Sequence, residues 1–246
     1  MMFLKSSFMF SSSWQGTLRA PRTLLFLFFL LTVMKSDHIK KTFSVVRGLN
    51  MGLFSPKDFQ SILNVINRYN VPATKITSAQ RLALLGMEER EMAELQQELK
   101  SHVSNRPENG VHYVQACPGI KWCKYGVADS MELGRKLEKM SFDQPLKGKV
   151  KVSVAGCRMC CTEPYVRDVG IIASKKGWSL VFGGNGGGNP RIADLVARNL
   201  STEEALALAK KCINVYQEKA RPTMRTARFM EGLGIEALKE RIRKKE

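Results

Sequence analysis

Acid is in short supply in this 246-residue sequence: 22 Asp and Glu stand against 39 Lys and Arg, a formal net charge of +17. A field of that sign favours anionic partners. Nucleic acid is the first to weigh, but the basic residues are scattered and only the tail Lys239–Glu246 is dense. No helix-turn-helix, RNP or zinc-finger pattern accompanies them, so the expectation is no nucleic acid. The other candidates are an anionic cofactor, a small anionic substrate and an acidic electron donor, and charge alone does not choose among them. Long apolar runs are also missing. The longest, Leu24–Val33 (LLFLFFLLTV), is about half the ~20 residues that a spanning helix needs. Six cysteines are too few for the disulfide scaffold of a small secreted domain. No internal repeat is found at any spacing. What is ordinary is the 44% hydrophobic and 25% charged composition, which excludes disorder for most of the chain.

The first 33 residues look foreign to the rest. They carry Lys5, Arg19 and Arg22 and no acid. A basic flank before a short apolar stretch is like a secretory signal, yet no small-residue cleavage site precedes Met34. The expectation is a start at Met34, in the cytoplasm, with a membrane anchor or a cleaved signal as alternatives.

The remainder reads as α+β. Ser55 and Pro56 open a helix over 54–70, with Phe59, Ile62, Leu63, Ile66 and Tyr69 on one face. A short strand is expected over Ala73–Thr77 and a helix over Glu88–Lys100, with Met92, Leu95 and Leu99 inward. Strands at Thr42–Val46 and Val111–Gln115 would complete an N-terminal unit, residues 40–110. The polar stretch Ser101–Gly110 reads as a boundary loop before a second unit, residues 111–246. There the pattern predicts a helix near Ala128–Met140 and an alternating strand over Lys149–Ala155. A hairpin comes next, Asp168–Ser174 with Trp178–Phe182, then a Gly-rich loop opening a helix at Pro190–Asn199. Ser201 and Glu204 form a capping box for a helix to about Lys219, and a basic helical tail closes the chain.

Four cysteines form two close pairs, Cys117-x5-Cys123 and Cys157-x3-Cys161. Four thiolates can hold a cubane cluster or a structural zinc; unligated or redox-active thiols are the third reading. Five intervening residues are too many for a typical zinc knuckle, and Pro118 and Gly119 let the first loop wrap a bulkier group. Cys212, beside Ile213 and Tyr216 on one helix face, reads as plain core. His102 and His112 lie outside the motifs and read as surface or packing residues.

ACPGIKWCKYG followed by KVKVSVAGCRMCC resembles the cluster-binding region of the nitrite and sulfite reductase family. The resemblance runs from about residue 44 to the end and suggests a compact single-module type. It implies a ferredoxin-like half domain followed by an α+β 4Fe–4S domain. It also implies two cofactors, a 4Fe–4S cluster on Cys117, Cys123, Cys157 and Cys161, and sirohaem bridged to the cluster by Cys161. Cys160 is an extra thiol beside the bridge. The implied activity is reduction of sulfite or nitrite with electrons from a ferredoxin-like or other external donor. Lys149, Lys151 and Lys75 would face the anionic substrate. Gln80 and Arg225 match positions that bind cofactor, whereas Ala79 stands where the family usually has an anion-binding arginine, with Arg81 as its substitute. The Gly-rich loop Gly183, Gly184, Asn185, Gly186, Gly187 and Gly188 lacks the P-loop lysine. It would act as a nest of backbone N–H groups at a helix N-terminus for the carboxylates of sirohaem. Many family members carry two copies of each domain, so a homodimer completing the pocket is a further expectation. Ala79 and Met159 leave an alternative: a non-catalytic 4Fe–4S electron-transfer protein without sirohaem.

Overall fold

The computed structural model describes residues 42–46, 49–102 and 106–244. The expectations for residues 1–33 lie outside them. Two sheets organise the chain. The first is antiparallel, in the order β1 (Phe43–Val45), β3 (Leu82–Leu85), β2 (Ala73–Ile76). Two helices cover one of its faces, α1 (Pro56–Arg68) and α2 (Glu89–Leu99). The Ser55 hydroxyl accepts from Asp58 N–H and Asp58 accepts in return from Ser55 N–H, so α1 starts where its capping box dictates. Its buried stripe is Ile62, Val65 and Ile66, packed with Leu82, Leu84, Leu95 and Leu99. Phe59, expected inward, is 53% exposed and stacks near Phe54 instead, ring centroids 6.0 Å apart. A three-stranded sheet is too narrow to cover a wider stripe. β3 was not anticipated, because its residues LALL favour helix and only pairing with β1 and β2 makes them a strand.

The second sheet runs β4 (Tyr113–Ala116), β5 (Lys151–Ala155), β6 (Val169–Ser174), β7 (Gly177–Phe182), β8 (Asp194–Leu200). The first three strands are parallel and the last two antiparallel to their neighbours. The 111–115 strand, assigned by pattern to the N-terminal unit, therefore belongs to this larger sheet. Helix α3 (Ser130–Glu138), the long α4 (Thr202–Lys219), α5 (Thr226–Leu233) and α6 (Ile235–Arg243) contribute to its core. Val152, Val154, Ile171, Leu180 and Phe182 point into that core, which also contains Cys212 and Tyr216. Burial holds the Cys212 thiol up at about 12, so it behaves as a small hydrophobe.

One expectation fails outright. Pro190–Asn199 is not a helix; most of it is β8, an edge strand bonded to β7. Ile192, Leu195 and Val196 have helical spacing, but the open side of β7 offers antiparallel pairing that outweighs it. The Gly-rich loop thus joins two strands and meets no helix N-terminus. Among the described residues no helix is long and apolar enough to cross a membrane.

Candidate functional site

Parallel strands bring their outgoing loops together at their carboxyl ends. β4 delivers Cys117 and β5 delivers Cys157, and Cys117 N–H donates to Val154 O at 3.2 Å. The two cysteine loops then lie against each other. A side chain on Gly156 would meet Gly119 Cα at 2.9 Å, and one on Gly126 would meet Gly119 C at 2.5 Å. Only glycine permits this approach. Val127 N–H donates across to Gly156 O at 2.8 Å, locking the pair of loops.

The thiols are graded in exposure. Cys117 is buried, Cys123 and Cys157 are half-buried, and Cys161 is exposed. Cys117 Sγ accepts from Gly156 N–H at 3.0 Å and lies 3.4 Å from Ser130 Oγ, at the start of α3. That helix end carries positive partial charge toward the thiol. Such N–H···S bonding suits the thiolates of an iron–sulfur cluster, whose potential it tunes. Among the described residues no three His, Cys, Asp or Glu side chains close on a single-ion site, so the thiols are not drawn to one point. The donor set therefore fits a bulky cluster. Cys160 faces elsewhere: it packs against the apolar cluster of Ile172, Val181, Ala193 and Leu195. Burial, and then the neighbouring Cys157 and Cys161, push its thiol pKa up.

A group of cations lies toward the other end of β5. Lys151 opens that strand and Cys157 comes after it, so roughly 20 Å of extended chain separates them. Lys151 Nζ is 5.9 Å from the Tyr113 ring centroid, and Arg81 is 5.1 Å from the same ring. Burial, then Arg225, lowers the Lys151 pKa. Asp168 has no exposed surface and accepts from Lys151 N–H at 2.9 Å, from Arg225 at 2.6 Å and from the Thr226 hydroxyl. A carboxylate so fully bonded is tolerated inside. Arg225 Nε is buried without a hydrogen-bond partner among the described residues, a donor left over. His112 is half-buried beside these cations. Burial first, then Arg81, Lys149, Lys151 and Arg106, holds its pKa down at about 4. Lys149 also lines a cavity of about 740 Å³ beside Arg106 and His112, which contains none of the cysteines.

The other expected residues part company. Gln80 spends its amide on the chain: Nε2 donates to Ala116 O and Oε1 accepts from Ala116 N–H, both at 3.0 Å. It clips the turn before β3 to the residue preceding Cys117, and so positions the cysteine rather than projecting toward a ligand. Lys75 is exposed on β2, an edge strand of the smaller sheet. In the Gly-rich loop, Gly183, Gly184 and Asn185 N–H groups donate to Asp168 O, Arg167 O and Arg191 O. Half of the expected nest is thus occupied by the protein itself. Pattern reasoning missed Arg167, whose Nε donates to Gln115 at 2.7 Å and whose Nη2 meets Glu163 at 2.8 Å. Its place just after the second cysteine pair was the available signal.

The domain described as nitrite and sulphite reductase 4Fe-4S domain matches residues 108–246. The chain belongs to the nitrite and sulphite reductase family. With that membership come oxidoreductase activity and the two cofactors expected from the cysteine pattern, a 4Fe–4S cluster and sirohaem. The reading as a cluster protein without sirohaem is not favoured. An assimilatory-type sulfite reductase of Nitratidesulfovibrio vulgaris is 41% identical over 203 residues, 82% of this chain and 93% of that protein. The nitrite reductase (NADH) large subunit of Escherichia coli is 35% identical over 219 residues, 86% of this chain but 25% of its own length. A crystal structure of dissimilatory sulfite reductase I superposes with a TM-score of 0.69 at 13% identity, covering 81% of this chain and 68% of that one. Mycobacterium tuberculosis NirA gives 0.61 at 18%, covering 79% and 38%. Family likeness thus extends to the α+β fold.

Proposed function

We propose that this family member reduces sulfite, with electrons from an external donor. The observation that carries the reading is the convergence of four thiols, graded from buried to exposed, at the carboxyl ends of β4 and β5. Sulfite is preferred to nitrite because the assimilatory-type sulfite reductase is matched along nearly its whole length, and the E. coli nitrite reductase subunit along a quarter. When bound, the cluster and sirohaem supply single electrons to a small ligand. Cys117, Cys123, Cys157 and Cys161 hold the cluster in this reading, with Cys161, the outermost thiol, as the bridge. Gly156 N–H draws charge from the Cys117 sulfur. Lys149, Lys151, Arg167 and Arg225 concentrate positive charge, which favours an anionic substrate and the carboxylates of a polyacidic cofactor. A lysine whose pKa is lowered, as that of Lys151 is, also gives up its proton more readily. Lys75 and the outer glycines, Gly186 to Gly188, are assigned the periphery of the same site.

Free cysteines throughout accord with a reducing, cytoplasmic setting. Nucleic acid is not a partner in this reading, and no salt-sensitive retention of duplex DNA is expected. A homodimer completing the pocket is tested by sedimentation of the loaded protein.

The test is the visible spectrum of anaerobically purified protein with iron and acid-labile sulfide analysis, followed by turnover on sulfite and nitrite. Haem bands, cluster-level sulfide and faster turnover of sulfite are expected. A colourless protein containing zinc would overturn the reading. Lys151→Met is expected to raise KM for sulfite about tenfold or more, the scale of one lost charge-assisted contact, with cluster content unchanged.

A further inference from the structure

The first cysteine loop carries an unusual surface. Ile120 is 54% exposed, Trp122 69%, Tyr125 59% and Val127 36%, and Met159 on the second loop is 69% exposed. Large side chains on a mobile loop would fold inward; these are on a fixed one. Ile120 N–H donates to Ala128 O at 3.0 Å, Trp122 and Cys123 N–H both donate to Gly119 O, and Gly126 N–H donates to Cys123 O at 2.9 Å. Rigid, exposed Trp and Tyr are the side chains that anchor protein interfaces.

Charge says what kind of partner fits. No acid occurs from Ala116 to Ala128, while Lys121, Lys124 and Arg158 stand exposed among the apolar groups. Lys124 Nζ lies 4.9 Å from the Tyr125 ring centroid, holding a cation on the aromatic surface. Asp129, the nearest acid, is engaged by Lys121 at 2.7 Å. Trp122 and Lys124 are the chain neighbours of Cys123, so whatever covers them is brought one residue from a thiol of the cluster set. Electron transfer falls steeply with distance, and a donor gains most by seating there.

We propose that the Ile120–Val127 face, centred on Trp122, is the docking surface for a small acidic electron-donor protein of ferredoxin type. This rests on the redox reading of the cysteine site. Each encounter passes one electron: the donor's reduced centre is oxidised, the cluster is reduced, and no bond forms or breaks.

Stopped-flow reduction of the loaded, full-length protein tests it. One reductant is a chemically reduced acidic [2Fe–2S] ferredoxin, the other reduced methyl viologen, which needs no docking face. With ferredoxin, the wild-type rate should fall as salt rises. Trp122→Ala should slow it about tenfold and Lys124→Glu several-fold, the loss typical of one interface anchor and one rim charge. Reduction by viologen and the visible spectrum should not change in either variant. Unchanged ferredoxin rates in both variants would overturn the proposal. So would equal losses with both reductants and a bleached spectrum, which would mean that the loop covers the cofactor. A change in sedimentation of the Trp122→Ala protein alone would instead assign the face to a second copy of this chain. Wild-type protein without cluster absorption would remove the redox reading, and this proposal with it.

Discussion

Two neighbouring thiols, Cys160 and Cys161, have opposite surroundings: one packs on apolar side chains, the other faces solvent. Their chemistry should separate accordingly. Cys161→Ser is expected to lose both haem bands and cluster-level sulfide, while Cys160→Ser keeps them, as visible spectra and sulfide analysis of the two variants will report. His112 makes a second residue-scale case. Its pKa in the folded chain is held at about 4, against an ordinary value of 6.5. The unfolded chain therefore takes up a proton near pH 6.5 that the folded chain refuses until about pH 4. Its contribution is fully present above pH 6.5 and is lost as pH falls through that window. His112→Gln should narrow the difference between urea midpoints measured at about pH 7 and about pH 5. Solvent screening at this half-exposed position limits the size of the effect.

At the scale of elements, the Gly-rich loop divides into a structural half and a free half. A side chain on Gly184 would collide with the carbonyl oxygens of Tyr165 and Arg167, which are backbone and cannot turn aside. One on Gly188 would meet nothing within 4 Å. Gly184→Ala is expected to destabilise by about 1–3 kcal/mol, as overpacking does, and Gly188→Ala to be silent in a thermal melt followed at the haem band. If both were silent, the loop's close approach to the turn over Pro164–Val166 would be of no structural consequence. The same loop shows why part of the site was illegible. Five glycines within six residues announce unusual backbone, but whether a helix or a strand comes next depends on β7, not on the loop. By contrast, the capping boxes at Ser55 and Ser201 need only residues three apart, and both helices begin where those pairs say.

The whole molecule has two apolar cores, one under each sheet. Met51 links them: it lies in the short turn Asn50–Gly52, before α1, yet belongs to the larger core, and its thioether lies on Gly134 of α3. Gln80 makes a second link through Ala116. Met51→Ala should cost about 2–3 kcal/mol. In guanidine, it should separate loss of far-UV signal from loss of visible absorption, which coincide in the wild type if the two cores unfold together. Two transitions already present in the wild type would show that the link is weak.

What was determined by sequence alone is local or chemical. Cysteine spacing named the cluster ligands, alternation named β5, end signals named α1 and α4, and acid scarcity announced an anionic partner. Each of these depends on residues within a few positions of one another or on composition. Tertiary structure decided the rest, because it depends on segments remote in the chain. It turned LALL into β3 and Pro190–Asn199 largely into β8, since backbone groups take whichever partner strand is offered. It assigned Gln80 to Ala116, buried Asp168 under Arg225, and placed Lys151 at one end of β5 with Cys157 beyond the other. It also left Trp122 and Tyr125 standing in solvent on a rigid loop, an exposure that no pattern of apolar residues could have told from burial.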